Sequence, residues 1–150
     1  MLKRFLMLIA LAMVATLARA STMEDEVRAV FDKYIAIQNA HDLKGMRNLL
    51  SDSPDMLWIS RGKPIWGRDA ALKSLEERYK GTWKIEVDKK ELRVISVSRR
   101  VAQVYAPTEL SVGEPGAEPA RNRLYINLLM VKKPEGWRIV SILPILVLPQ

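Results

Sequence analysis

A chain of 150 residues that is 49% apolar and 27% charged, with only 7 Gly and 8 Pro, has room for one globular domain plus a short appendage, and it is not collagen-like or low-complexity. Zero cysteines exclude disulfides, thiolate metal sites, cysteine nucleophiles and a thioether lipid anchor, and the single histidine, His41, argues against a multi-histidine metal site or a Ser-His-Asp triad. The formal charge of +7 comes from 24 basic and 17 acidic residues. Neither a metal nor a cofactor is expected.

The first twenty residues have the pattern of a secretory signal peptide. Lys3 and Arg4 precede an apolar run from Phe5 to Leu17 broken only by Thr16, and Ala18-Arg19-Ala20 places small residues where a signal peptidase reads them, so cleavage is expected before Ser21. The run is too short for a stable bilayer span of about 20 residues. Loss of Lys3, Arg4 and Arg19 leaves 21 basic against 17 acidic residues. The remaining Lys and Arg are scattered among carboxylates without an aromatic-interleaved basic stripe, which points away from nucleic acid. The expected destination is the periplasm or the exterior.

Helical spacing follows. From Glu24 to Ala40, Val27, Val30, Phe31, Tyr34, Ile35 and Ile37 recur at three and four, behind an acidic first turn at Glu24, Asp25 and Glu26 that suits the helix dipole. Asp42 is placed to cap a second helix over Leu43 to Leu50. A turn at Ser51 to Asp55 leads to a strand at Met56 to Ser60. Arg61-Gly62-Lys63-Pro64 reads as a turn, and Ala70 to Lys80 as a third helix stopped by Gly81.

After Gly81 the period changes to two. Strands are expected at Trp83 to Val87, Leu92 to Val97, Val101 to Val112, Arg123 to Lys132 and Trp137 to Ile145, the last two joined by a hairpin at Lys133-Pro134-Glu135-Gly136. Helices followed by a run of strands give an α+β domain in which an antiparallel sheet packs on the helices. The apolar segment Ile142 to Leu148 is too hydrophobic to hang free and is expected to pack on the sheet or across a subunit boundary.

Tyr34-Ile-Ala-Ile-Gln-Asn39-Ala-His-Asp42, the strand at Leu57-Trp58-Ile59, Trp66-Gly67-Arg68-Asp69-Ala70-Ala71 and the terminal Gly136-Trp137-Arg138-Ile139-Val140 resemble the nuclear transport factor two-like superfamily, in its SnoaL-like and ketosteroid-isomerase-like branches. The resemblance runs from residue 24 to 145. It implies a cystatin-like cone: three N-terminal helices packed in a strongly curved antiparallel sheet around an apolar cavity, with the outer sheet face forming a homodimer. Members of this superfamily include enzymes, transport adaptors and assembly domains, so the fold does not choose the function.

The isomerases of this superfamily use an aspartate base on the first strand and an oxyanion hole made of a helix tyrosine and a protonated aspartate. The resemblance aligns Tyr34 with the tyrosine, Ser60 with the base and Asn127 with the second donor. Serine without a neighbouring base takes up no proton near neutral pH, so the shuttle is missing and a binding constellation survives. Trp58 is expected near the cavity mouth. Tyr105, which shares a strand face with Glu109, and Asn127, which shares one with Tyr125 and Leu129, are candidate ligand contacts if those faces point inward.

Three readings result. The leading one is an exported homodimer that binds a small, mostly apolar molecule through Tyr34, Trp58, Ser60, Tyr105 and Asn127. The second is an isomerase or cyclase whose base is a relocated carboxylate such as Glu109. The third is an assembly module with a filled interior.

Overall fold

The structure is a computed structural model that describes residues 22–148; the expected signal peptide lies outside the described residues. The described residues form three helices: α1 (Met23–Asn39), α2 (Leu43–Leu49) and, after the first two strands, α3 (Arg68–Arg78). Seven strands complete the domain: β1 (Leu57–Ser60), β2 (Lys63–Trp66), β3 (Thr82–Val87), β4 (Arg93–Ser98), β5 (Val101–Gly113), β6 (Ala120–Lys133) and β7 (Gly136–Leu146). None of these helices is long and apolar enough to cross a membrane.

The helix ends follow local chemistry. Thr22 and Asp25 form a capping box at the start of α1, and Asp42 accepts from the Gly45 amide at 2.9 Å to cap α2. Val27, Phe31, Tyr34 and Ile37 make one buried stripe along α1. Its first turn is tied to the sheet by Glu26, which accepts from Lys132 at 2.6 Å and from the indole of Trp137 at 2.8 Å. These two donors hold the Glu26 carboxyl below its ordinary pKa.

The strands run in the order β2-β1-β7-β6-β5-β3, with β4 also pairing β5. All pairs are antiparallel except β1–β7, which is parallel, so the sheet is mixed and not purely antiparallel as the sequence suggested. The expected four-residue turn after β1 is also shorter. Arg61 and Gly62 alone make it, with φ of 51° and 73°, and Lys63 to Trp66 pair back on β1. Pro64 is tolerated there because β2 is an edge strand.

The sheet curls. A flat sheet would hold β1 and β3 about 19 Å apart, four strand spacings. Yet the rings of Trp58 on β1 and Trp83 on β3 lie 5.3 and 5.6 Å from the same guanidinium carbon, that of Arg78. Register shifts between Ser96 and Ser98 and between Leu129 and Met130 supply bends. The second shift also rephases β7. Trp137 and Ile139 face the core before it and Ile142 after it, so odd positions give way to even ones on the inner face.

The C-terminal apolar segment is therefore mostly strand. Ile142 to Leu146 pair with β6 from Leu128 to Leu124, which is why residues this apolar run there. Close backbone approach explains Gly81, since a Cβ there would collide with the Gly113 carbonyl oxygen of β5.

Candidate functional site

Between α1, α3 and the concave sheet face lies a cavity of about 440 Å³. Its wall is apolar, with Leu110 and Val112 from β5, Leu124 and Ile126 from β6, and Ile142 and Pro144 from β7. Trp58 and Trp83 close its two sides from opposite ends of the curled sheet. Polar groups are few. They are Tyr34 and Gln38 from α1, Ser60 from β1, Arg61 from the hairpin turn, Arg78 from α3 and Asn122 from β6.

Tyr34 and Gln38 lie one helical turn apart on the buried face of α1, each 2% exposed. The Gln38 side-chain carbonyl accepts from the Tyr79 hydroxyl at 2.6 Å and from the Trp83 indole N–H at 3.1 Å. An indole nitrogen only donates, so the amide orientation is settled: Nε2 must face Tyr34 and donate to its hydroxyl, at 3.0 Å. The Tyr34 oxygen is thus an acceptor within the protein, and its own hydrogen has no acceptor among the described residues. Burial pushes the Tyr34 pKa up to about 12, so near neutral pH the phenol donates without ionising. The Tyr79 phenol is also held above its ordinary value, chiefly by burial. His41 stacks on Tyr79 with ring centroids 4.5 Å apart and lies 3.0 Å from the Trp83 carbonyl, which locks the outer side of this network.

Arg78 is the last residue of α3, where a cation complements the C-terminal carbonyls. Its guanidinium lies over the rings of both Trp58 and Trp83 and donates to the Ser60 hydroxyl at 2.5 Å. Its buried Nε has no partner, and it makes no ion pair with any described residue. Burial and then the nearby Arg61 charge lower its pKa. Guanidinium is basic enough to remain charged regardless.

Of the residues singled out from sequence, the structure brings Tyr34, Trp58 and Ser60 to the cavity. Tyr105 and Asn127 are not there. They pair across β5 and β6 on the outer sheet face, where Asn127 accepts from the Gln103 amide at 3.1 Å and Tyr105 packs against Tyr125 at 5.4 Å between ring centroids. The reason is strand parity: on β6 the inward side chains are the even ones from Asn122 to Met130, and on β5 Ala102, Val104, Ala106, Leu110 and Val112 face in. Glu109 shares the outward parity of Tyr105 and pairs with Arg121 at 3.1 Å, so it supplies no base to the cavity. Among the described residues, no Asp, Glu or His lines that space.

Sequence reasoning missed Gln38, Arg78 and Asn122. A signal existed for two of them. Gln38 sits four residues after Tyr34 on an otherwise apolar stripe, and Arg78 sits seven after the fully buried Ala71, hence on the same face of α3. Asn122 precedes the clear alternation of β6 and carried none.

Three solved structures share this architecture. A cystatin-like protein from Caulobacter vibrioides superposes with a TM-score of 0.70 at 18% identity, covering 84% of this chain and 90% of that one. A nuclear transport factor 2 (NTF2)-like superfamily protein from Salmonella enterica gives 0.74 at 14% identity, covering 84% and 92%. An NTF2-like family protein from Streptomyces avermitilis gives 0.72 at 17% identity, covering 84% and 97%. At these identities the likeness is one of fold. No protein of curated function matches the chain. The SnoaL-like domain family matches residues 27–143, and with the cone, its curled sheet and its cavity on the same stretch, the chain belongs to the SnoaL-like domain family.

Proposed function

We propose that this is an exported binding protein that encloses a small, mostly apolar molecule in its cone cavity and performs no efficient acid–base chemistry on it. The observation that carries the reading is the lining: about 440 Å³ of open, largely apolar space lined by Tyr34 and, among the described residues, by no carboxylate or imidazole. A volume in that range suits a small organic ligand. The position aligned with the superfamily's base is Ser60, whose hydroxyl is already engaged by Arg78. A catalytic reading would need a proton acceptor titrating near neutral pH, and neither a phenol held near pKa 12 nor a guanidinium is one. An open interior also speaks against a domain filled for assembly alone. Dimerisation through the outer sheet face belongs to the same proposal, supported by the apolar patch of Tyr125, Leu129, Leu143 and Ile145 exposed there.

Calorimetric titration with an uncharged probe, 1-octanol, tests the cavity. One molecule should bind per chain, and Ile126→Trp, which fills the wall from within, should weaken binding at least about tenfold. No saturable binding, or binding indifferent to the filled cavity, would refute the proposal.

A further inference from the structure

Arg78 is the least explained group in the molecule. A guanidinium is half-buried in an apolar cavity, yet its protein partners are one neutral hydroxyl and two indole faces. Withdrawing a charge from water is costly, and cation–π contact with two indoles recovers less than an opposite charge would supply. A second cation, Arg61, lines the same cavity and raises the cost. Nearby acidic residues do not neutralise the pair. Glu77 and Glu114 line a neighbouring cleft together with Arg61 and Arg78, but neither forms an ion pair with either guanidinium, and Glu77 is held by Lys80 at 2.6 Å.

We infer that the cavity's ligand is a small amphipathic monocarboxylate, its apolar body against the aliphatic wall and its carboxylate held by Arg78, with Arg61 and the Tyr34 hydroxyl as further donors in the same space. Guanidinium and carboxylate match in shape and charge, and a charge-assisted hydrogen bond is roughly twice as strong as a neutral one. Carboxylate suits the site better than a dianionic phosphate because Arg61 is exposed and can keep its own hydration, which leaves the one half-buried guanidinium of Arg78 to be matched by a single negative charge. The inference rests on the binding reading above and deepens it by naming the ligand class.

The test compares octanoate with 1-octanol on the same purified protein by calorimetry. Octanoate should bind about tenfold more tightly, and Arg78→Gln should remove that preference while Arg78→Lys retains part of it. Circular dichroism checks that the variants fold. Should Arg78→Gln not fold, the wild-type protein still decides: raising salt from about 20 to about 500 mM should weaken octanoate severalfold more than octanol. Equal binding of acid and alcohol, or a preference insensitive to both Arg78 and salt, overturns the inference and leaves the cavity reading standing. Tighter binding of octyl phosphate than of octanoate overturns the carboxylate assignment. If neither octanol nor octanoate binds, both readings fall.

Discussion

Replacing Gln38 by leucine removes the hub that ties α1 to α3 and β3 while keeping volume nearly constant. Three hydrogen bonds go at once, to Tyr34, Tyr79 and Trp83. They do not cost the same. Tyr79 is only partly buried and its hydroxyl can turn to water, whereas the Trp83 indole N–H, in a side chain 8% exposed, loses its acceptor, and Tyr34 at 2% exposed loses its donor. Leaving a buried polar group unpaired costs about 1–3 kcal/mol, and part is returned because leucine needs no partner, so the net destabilisation should be about 2–3 kcal/mol. For a domain of this size that corresponds to a fall in Tm of roughly 8–10 °C. Urea unfolding followed by tryptophan fluorescence measures it, and a double-mutant cycle with Trp83→Phe should recover about 1 kcal/mol of coupling. A loss under about 0.5 kcal/mol, or no coupling, would show that the relay does not hold the cavity wall.

The raised pKa of Tyr34 predicts how stability responds to alkali. The phenol titrates near 12 in the folded protein against about 10 when unfolded, so the stabilisation is fully present below pH 10 and is lost as pH rises from 10 through 12, where the unfolded chain releases its proton first. The loss should reach about 2–3 kcal/mol, with Tyr79 adding in the same sense, and Tyr34→Phe should flatten the slope; unfolding curves with the same alkaline slope in both proteins would contradict this. The outer face makes a separate prediction. Sedimentation velocity should give the mass of two chains, and Leu129→Glu should weaken the dimer at least about tenfold; a wild-type protein that sediments as one chain rejects the interface.

Much of this architecture was legible one segment at a time. The stripe of Val27, Phe31, Tyr34 and Ile37, the Asp42 cap and the two-residue alternation after Gly81 are local properties, and α1, α2 and β3 to β7 fall within a few residues of where those signals place them, whereas β2 lies where a turn was expected. Tyr34, Trp58 and Ser60 came from a motif order that holds regardless of register, and they reach the cavity.

What the linear chain left open were relations between distant segments. Alternation shows that a strand has two unlike faces but not which one turns inward, so Tyr105 and Asn127 were candidates only if their faces turned in, and they lie outside. The parallel pairing of β1 on β7 depends on a partner more than eighty residues away, and the rephasing of β7 depends on a bulge set by its register with β6. The environment of Arg78 is the extreme case. An arginine at a helix end is ordinarily a solvated charge, and it becomes a half-buried guanidinium without a counterion among the described residues only because a curled sheet brings Trp58 on β1 and Trp83 on β3 to the same guanidinium. Local periodicity settles which elements form, since backbone geometry and burial act over a few residues; sheet closure decides which side chains meet, because it sums the twist and register of every strand between them.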